Sequence, residues 1–258
     1  MQLNIDVSLE YELGPARTAL LAIEAAEAEG QTVAESILDI EDASLRRIEG
    51  DGGVGHRVWT TFGSQTLRLR YRAKVGVSRS PVHLEGLAAT PLPDLPGDKI
   101  SCLRPSRYCQ SDYLASFAEH RFGHLSGGKK IVAIRDWILA EMRYLPGHSD
   151  SSTTVLETFA SRKGVCRDYA HLMCGLARAS HIPARYVSAY GARVDPPDFH
   201  AVVEVWLEAG WHLVDPSGMC PADELVLIGV GRDAGDVPFM ETPDEARFIA
   251  QQVSVTSD

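Results

Sequence analysis

The sequence predicts an α+β protein in which strands come first, helices follow, and a second group of strands completes the chain. Apolar and polar residues alternate through much of the first 80 residues, which is typical of half-buried strands. Between about residues 112 and 179 the apolar residues recur at helical spacing instead. Beyond residue 184, short β-branched runs return between turn residues, which again indicates strands.

The 258-residue chain is acidic, with 25 Lys and Arg against 35 Asp and Glu, a net charge of −10. This balance, without a long basic cluster, argues against a dedicated nucleic-acid binder. The longest apolar run, Leu225–Gly231, is far shorter than the roughly 20 residues needed to span a bilayer. Asp6 and Glu10 stand where a signal peptide needs apolar residues. We therefore expect a soluble, cytoplasmic protein that does not contact membranes.

The cysteine pattern predicts free thiols in a reducing compartment, because an odd number at irregular spacing suggests no disulfide framework. The five are Cys102, Cys109, Cys166, Cys174 and Cys220. Cys102 and Cys109 precede His120 and His124, but the gaps depart from zinc-finger spacing. We expect neither a metal ion nor another cofactor.

The first 80 residues are expected to form an antiparallel β domain. Residues 2–13, 56–61 and 66–77 alternate as strands do, and residues 51–53 (Asp-Gly-Gly) indicate a turn. Residues 19–29 leave helix and strand open, because their Ala and Glu content favours helix while their neighbours favour strand.

A proline-rich segment separates the two groups of strands. Proline fixes φ and removes a hydrogen-bond donor, so this stretch should be irregular and serve as a connector. Its prolines are Pro81, Pro91, Pro93, Pro96 and Pro105.

Helices are predicted over residues 112–121, 128–142 and 166–179. Thr154 and Glu157 form a capping-box pair that opens a further short helix, which Gly164 is placed to end.

Strands are then predicted over residues 184–190, 199–207 and 211–215. Residues 225–230 and 248–255 are expected to form a last β pair.

Cys166 lies in a setting that favours a reactive thiol. Gly164 allows a sharp turn just before it, and the cysteine then falls in the first turn of a helix. Free backbone N–H groups and the helix dipole stabilise a thiolate there, and Lys163 and Arg167 add positive charge. The alternative is a small buried residue at a helix start, which is common for Cys. The local sequence leaves both open.

His200 and Asp215 are the candidates for a base and its orienting acceptor. His200 begins one predicted strand, and Asp215 ends the next, just before Pro216. Joined as a hairpin through residues 208–210, these strands bring both side chains to one end of the sheet.

Four segments in this order resemble the bacterial transglutaminase-like superfamily. They are residues 164–171 (GVCRDYAH), 182–188 (IPARYVS), 199–204 (FHAVVE) and 211–216 (WHLVDP). The resemblance covers about residues 110–220 and implies a papain-like core with a Cys166–His200–Asp215 triad. More weakly, the β-rich start resembles the N-terminal domain that often precedes this core in bacteria. The expected domains are 1–80 (β-rich), 81–110 (connector) and 111–258 (catalytic core).

The implied activity is cysteine-dependent acyl transfer on amide bonds of peptides or protein side chains, through a thioester. Water as acceptor makes a peptidase or amidase, and an amine makes a transglutaminase. We favour hydrolysis, because the sequence shows no oxygen-ligand loop of the calcium type. The rival hypothesis is a non-catalytic peptide-binding module on the same fold. A peptide or protein is the expected partner, rather than nucleic acid or membrane; the oligomeric state stays open.

The oxyanion should be held by the Cys166 backbone N–H and one further donor. The papain pattern has Gln six residues before the cysteine, where this chain has Ala160. Trp137 and Tyr144 are the candidates for the second donor or for the cleft wall.

Other polar residues near these motifs are expected to be structural. His171 lies about 140° round the helix from Cys166, so its ring should be packed in the protein interior. Cys174 lies about 12 Å along the helix from Cys166, too far for a disulfide between the two. His212 is three residues before Asp215 and should point to the opposite face of the sheet. Asp168, in the first turn of the helix, should complement the helix dipole.

Overall fold

The computed structural model describes residues 1–257, and it confirms the predicted mixed α+β class. The strands are β1 (Gln2–Glu12), β2 (Thr18–Leu21), β3 (Gln31–Ile40), β4 (Ala43–Glu49), β5 (His56–Phe62), β6 (Thr66–Val77), β7 (Arg143–Tyr144), β8 (Lys163–Gly164), β9 (Ala184–Gly191), β10 (His200–Leu207), β11 (Gly210–Val214), β12 (Leu225–Gly231), β13 (Met240–Glu241) and β14 (Arg247–Ser257). The α-helices are α1 (Ala115–Phe122), α2 (Gly127–Glu141), α3 (Val155–Ser161) and α4 (Cys166–Ala179).

The N-terminal region consists of two antiparallel sheets around one apolar core. Their strand orders are β14-β1-β6-β3 and β13-β2-β5-β4. Every second side chain of β1 is buried, because successive residues of a strand point to opposite faces. The ambiguous stretch at residues 19–29 contributes a strand, β2, rather than a helix. The largest fully buried side chains of this core include Leu3, Leu21, Ile23, Leu67 and Tyr71.

Strands from the far end of the chain complete both of these sheets. β14 pairs with β1, with Leu3 opposite Ser257, and β13 pairs with β2. The predicted pairing of residues 225–230 with 248–255 is wrong, because β12 pairs with β9 instead. β13 and β14, which lie in the range 111–258 predicted as the catalytic core, pair with strands of the N-terminal sheets. Alternation identifies a strand but does not identify its partner.

The second layer of the fold packs α4 against an antiparallel sheet of order β11-β10-β9-β12. α4 is buried from Asp168 through Arg178, and every residue of β10 is buried. Such enclosure on both faces explains why β10 is apolar from Ala201 to Leu207 except at Glu204. It also fixes the start of α4 against the start of β10, where the candidate site lies.

The connector packs on this layer instead of hanging free. It contains three 3-10 turns, Leu84–Gly86, Leu92–Asp94 and Gly97–Leu103, as expected for a proline-rich stretch. A Cβ on Gly128 would lie 1.5 Å from the Leu84 carbonyl oxygen, so only glycine permits this approach to α2.

Side chains of the second layer pack into the apolar core of the N-terminal region. The Tyr190 ring of β9 stacks on Tyr71 of β6, with ring centroids 6.4 Å apart. The Tyr190 hydroxyl donates a hydrogen bond to the Ile23 carbonyl at 2.6 Å, and Val226 and Ile228 of β12 pack in the same cluster. The N-terminal region is therefore fixed against the sheet that carries His200.

No helix within residues 1–257 has both the length and the apolar character to cross a lipid bilayer.

Candidate active site

Cys166 is the first residue of α4, as the sequence predicts. A short parallel pairing of β7 with β8 sets the chain just before it, with Tyr144 opposite Gly164. A Cβ on Gly164 would lie 2.4 Å from the Asp168 carboxylate, so glycine is required by space at this position. Cys166 is partly exposed, whereas the other four cysteines are buried. The helix start thus presents one accessible thiol.

Asp168 holds the start of α4 in place. Its Oδ2 accepts a hydrogen bond from the Val165 N–H at 2.8 Å and another from the Ser149 hydroxyl. The side chain is fully buried, with the Arg167 guanidinium 3.5 Å away. A carboxylate at this position satisfies an orphan N–H and complements the helix dipole, which is the role the sequence predicts.

His200 and Asp215 meet at one end of the sheet. β10 and β11 form a hairpin in which Glu208 and Ala209 both adopt positive φ, 47° and 62°, as a tight two-residue turn requires. Val214 lies opposite Val203, so the next residue, Asp215, leaves the sheet towards His200. The His200 Nε2 lies 2.9 Å from Asp215 Oδ2.

The His200 ring is enclosed, with Nδ1 buried and without a geometric hydrogen-bond partner among residues 1–257. Burial opposes protonation, but interactions with Asp215 and with the Cys166 thiol outweigh it and raise the pKa of His200 to about 10. The imidazole therefore acts between two groups, a carboxylate at Nε2 and the Cys166 sulfur. A cation held in this way can support a thiolate and later deliver a proton.

Asp215 is itself fixed by three donors from the following loop. Its Oδ1 accepts hydrogen bonds from the Ser217 N–H at 2.8 Å and hydroxyl at 2.6 Å. Its Oδ2 accepts one from the Cys220 N–H at 2.9 Å. Burial opposes ionisation, but His200 and these donors outweigh it and lower the pKa of Asp215. Sequence reasoning missed Ser217, although Ser two residues after Asp is a recognisable turn signal.

Tyr144 lies at the thiol, whereas Trp137 takes part in an aromatic cluster. The Tyr144 hydroxyl interacts with both the backbone N–H and the thiol of Cys166, and burial together with the Cys166 charge raises the pKa of Tyr144. The Trp137 ring packs against three phenylalanines and lies under a guanidinium 4.5 Å from its centroid. These neighbours are Phe117, Phe122, Phe159 and Arg162. Of the two predicted donors, Tyr144 is the one with a described contact to Cys166.

His171 is packed beneath α4. Its ring stacks on Tyr108 at 5.3 Å, and Nε2 accepts a hydrogen bond from the Ala234 N–H at 3.2 Å. Full burial lowers the pKa of His171 to about 3. Cys174 is also fully buried, and His212 Nε2 lies 3.1 Å from the Leu207 carbonyl oxygen.

Sequence reasoning also missed Asp198, which lies two residues before His200. Its Oδ1 accepts hydrogen bonds from the Phe199 N–H at 2.7 Å and from the Gln251 side chain at 2.6 Å. No local signal marks Asp198, because Gln251 comes from β14, 53 residues later.

Within residues 1–257, no group of three or more His, Cys, Asp and Glu side chains is arranged to hold a metal ion.

Known proteins resemble this chain over the region that contains the site. A family model described as the transglutaminase-like superfamily matches residues 118–216. A crystal structure of a "Putative Cysteine Protease" from Cytophaga hutchinsonii superposes with a TM-score of 0.93 at 32% identity. The superposition covers 99% of this chain and 90% of that chain, so it includes both regions of the fold.

Curated relatives match shorter parts of the chain. An uncharacterized protein of Mycobacterium leprae is 33% identical over 119 residues, which is 42% of this chain and 42% of that protein. A protein-glutamine gamma-glutamyltransferase of Pseudomonas aeruginosa is 41% identical over 70 residues, 23% of this chain and 10% of that protein. The chain thus spans less than half the length of these relatives. The full-length structural match and the family model together confirm the predicted resemblance: the chain belongs to the transglutaminase-like superfamily.

Proposed function

We propose that this protein is a cysteine-dependent enzyme that transfers the acyl group of an amide bond in a peptide or protein side chain. The observation that carries the proposal is the His200 ring, which bonds Asp215 through Nε2 at 2.9 Å and interacts with the Cys166 thiol. In this arrangement the thiol can act as the nucleophile and the imidazole as the general acid and base, and the carboxylate orients the imidazole.

The first half-reaction would proceed from a thiolate–imidazolium pair. The Cys166 sulfur attacks the amide carbonyl carbon, a C–S bond forms, and the carbonyl electron pair moves onto oxygen. As this oxyanion collapses, the C–N bond breaks and the His200 imidazolium gives its proton to the departing amine. The product is a thioester on Cys166, and His200 is left neutral.

The second half-reaction would return the enzyme to its starting state. Neutral His200 takes a proton from water or from a primary amine, whose oxygen or nitrogen attacks the thioester carbonyl. The C–S bond breaks, and an acid or a new amide leaves. Asp215 stabilises the imidazolium in both halves, because its own ionised form is held by the Ser217 and Cys220 donors.

The oxyanion would be stabilised at the start of α4. The Cys166 backbone N–H is one donor, and the Tyr144 hydroxyl, which already interacts with this N–H and the thiol, is the second. We retain hydrolysis as the favoured outcome and amine transfer as the alternative. A reducing, cytoplasmic setting belongs to the same proposal, supported by five cysteines that are all unpaired.

The test is mass spectrometry of the full chain incubated with a peptide library and a primary amine such as methylamine. The proposal expects an acyl adduct on Cys166 and product masses that distinguish peptide cleavage, side-chain deamidation and methylamide formation. Cys166→Ala should abolish all of these, and Cys102→Ala, which removes a buried thiol of the connector, should not. Activity that persists in folded Cys166→Ala would refute the mechanism. Peptide binding without adduct or product would establish the binding-module alternative.

A further inference from the structure

Asp198 is held as an open carboxylate two residues before His200. Both described hydrogen bonds reach Oδ1, one from the Phe199 N–H and one from Gln251 on β14. Within residues 1–257, Oδ2 accepts no hydrogen bond and Asp198 forms no ion pair with a basic side chain. The residue is nevertheless exposed to solvent. One oxygen therefore fixes the carboxylate, and the other is available to a ligand.

The position of Asp198 is defined by its place in the chain and by its side-chain contact. It precedes His200, the first residue of β10, by two residues. Its Oδ1 accepts a hydrogen bond from Gln251 of β14, which is the edge strand of an N-terminal sheet. Asp198 thus lies between His200 and that sheet edge, and its charge contributes, after burial, to the raised pKa values of Tyr144 and Tyr11.

The edge of that sheet adds an aromatic surface beside the carboxylate. The Tyr11 ring meets Phe248 edge-on, with centroids 5.6 Å apart and an interplanar angle of 76°. Phe248 of β14 is 58% exposed. A carboxylate near an exposed aromatic ring suits a cation on an aliphatic stem, which can use both.

The surrounding protein does not supply the cation that this carboxylate lacks. Partial burial raises the pKa of Asp198 despite the two hydrogen bonds to Oδ1, so its charge is stabilised incompletely. A bound ammonium or guanidinium group would stabilise the carboxylate charge further by donating a charge-assisted hydrogen bond to Oδ2.

We propose that Asp198, with the Tyr11–Phe248 pair beside it, forms a subsite that selects peptide substrates carrying a positive charge near the reacting amide. The proposal rests on the proposed acyl-transfer function and specifies its substrate class. The charge comes either from a Lys or Arg side chain or from the α-ammonium group of a short peptide. Both present the same chemistry to Oδ2.

The main experiment compares kcat/KM for matched peptides that differ only in Lys, norleucine or Glu next to the reacting residue. Each is used with a free and an acetylated N-terminus. We expect the wild-type chain to favour the cationic peptide over the neutral one by about tenfold or more, the size of a hydrogen bond between charged groups. The Lys-to-norleucine ratio among acetylated peptides measures recognition of the side chain. The free-to-acetylated ratio among norleucine peptides measures recognition of the α-ammonium, and at least one of these two ratios should reach about tenfold.

Asp198→Asn preserves the shape and the acceptor at Oδ1 but removes the charge. It should reduce the ratio of cationic to neutral kcat/KM to within about twofold, and Asp198→Lys should reverse it in favour of Glu. Glu245→Gln, which removes the same charge from an exposed position just before β14, should leave the ratio as in the wild type. The subsite would be overturned if both wild-type ratios, Lys over norleucine and free over acetylated N-terminus, were near one, or if both were unchanged in Asp198→Asn.

A second readout separates this proposal from the acyl-transfer function. Alkylation of Cys166 by cationic 2-bromoethylamine, relative to neutral iodoacetamide, should slow severalfold in Asp198→Asn and not in Glu245→Gln. This ratio reports the charge beside the thiol without requiring turnover. If the chain forms no acyl-enzyme but the alkylation ratio responds to Asp198, the acyl-transfer function fails and the cation subsite stands. If the ratio does not respond, the subsite fails.

Discussion

Two buried histidines show how differently one fold can use the same side chain. His200, at the sheet end, has Asp215 at Nε2 and the Cys166 thiol as a further partner, and its pKa is raised to about 10. His171, beneath α4, has an aromatic ring against it and a backbone N–H at Nε2, and its pKa is lowered to about 3. Both rings are at most 2% exposed. Burial alone therefore does not decide the charge of a histidine; its anionic partners do.

The largest difference should appear in catalysis. We expect His200→Gln to lower kcat/KM by about 10⁴-fold, because it removes the acid–base group. His171→Gln should retain activity to within about tenfold, since that ring is enclosed by packing and is uncharged at neutral pH. Peptide turnover by both variants, together with circular dichroism to establish folding, measures the contrast. Comparable losses of kcat/KM in folded His200→Gln and His171→Gln would contradict the different roles assigned to the two histidines.

The next effect concerns stability at acidic pH. The pKa of His171 is lowered in the folded state, so folding favours the neutral ring. The free energy of unfolding therefore has its full His171 contribution above about pH 6.5, where the ring is neutral in the unfolded chain as well. As pH falls from 6.5 towards 3, only the unfolded chain takes up this proton, and the free energy of unfolding should fall by about 1.4 kcal/mol per pH unit.

Urea unfolding at several pH values tests this expectation. His171→Gln should be less stable than the wild type at pH 7 by about 1–2 kcal/mol through lost packing and hydrogen bonding. Its stability should then fall less steeply with acid. Parallel curves for the two proteins would mean that another group controls acid unfolding.

The contribution of His200 to stability depends on pH in the opposite direction. Its folded-state pKa is raised, so the stability from the ion pair is complete below about pH 6.5 and is lost as pH rises through about 10. Asp215→Asn should remove the main support of the cation and move the alkaline limit of activity down by at least about one pH unit. It should also lower kcat/KM by about 100-fold, less than loss of the ring itself. A pH–rate profile from 5 to 10 measures both changes, and an unmoved alkaline limit would contradict the assignment.

Among the proposed catalytic residues, the smallest effect is expected at Tyr144. Tyr144→Phe deletes the hydroxyl beside the Cys166 N–H and should lower kcat by about 10–100-fold, with little change in KM. Trp137→Phe, the matched aromatic control, should change kcat by less than about threefold, because its ring contacts other aromatic side chains. If Trp137→Phe produced the larger loss, the second oxyanion donor would have to be reassigned.

How much the sequence reveals depends on how local the governing interactions are. Helix α4 begins at Cys166 and ends at Ala179 as predicted, because its turn, its capping carboxylate and its apolar positions all lie within the segment. The hairpin that joins His200 to Asp215 is local too, with a turn of two residues. The approach of Tyr144 to Cys166 was open between two aromatic candidates, since the β7–β8 pairing links segments 20 residues apart.

Long-range pairings were beyond such reasoning. β14 alternates as a strand should, but nothing in its own residues identifies β1 as the neighbour. Asp198 was missed for the same reason, because its carboxylate is held by Gln251 of β14. The contacts that hold Asp198 and β14 in place thus join residues that are far apart in the sequence.

The pairing of β1 with β14 also determines the order in which the molecule can form. A strand that begins at Gln2 waits for a neighbour that ends at Ser257, so the first sheet stays incomplete until almost all of this sequence has left the ribosome. Contacts of such separation slow folding, because the loop they close carries a large entropy cost. The triad segments, between residues 166 and 215, emerge earlier than Gln251. A nascent chain would therefore expose Cys166, His200 and Asp215 before β14 is available, and pairing of β14 with β1 becomes the step that completes the surroundings of Asp198.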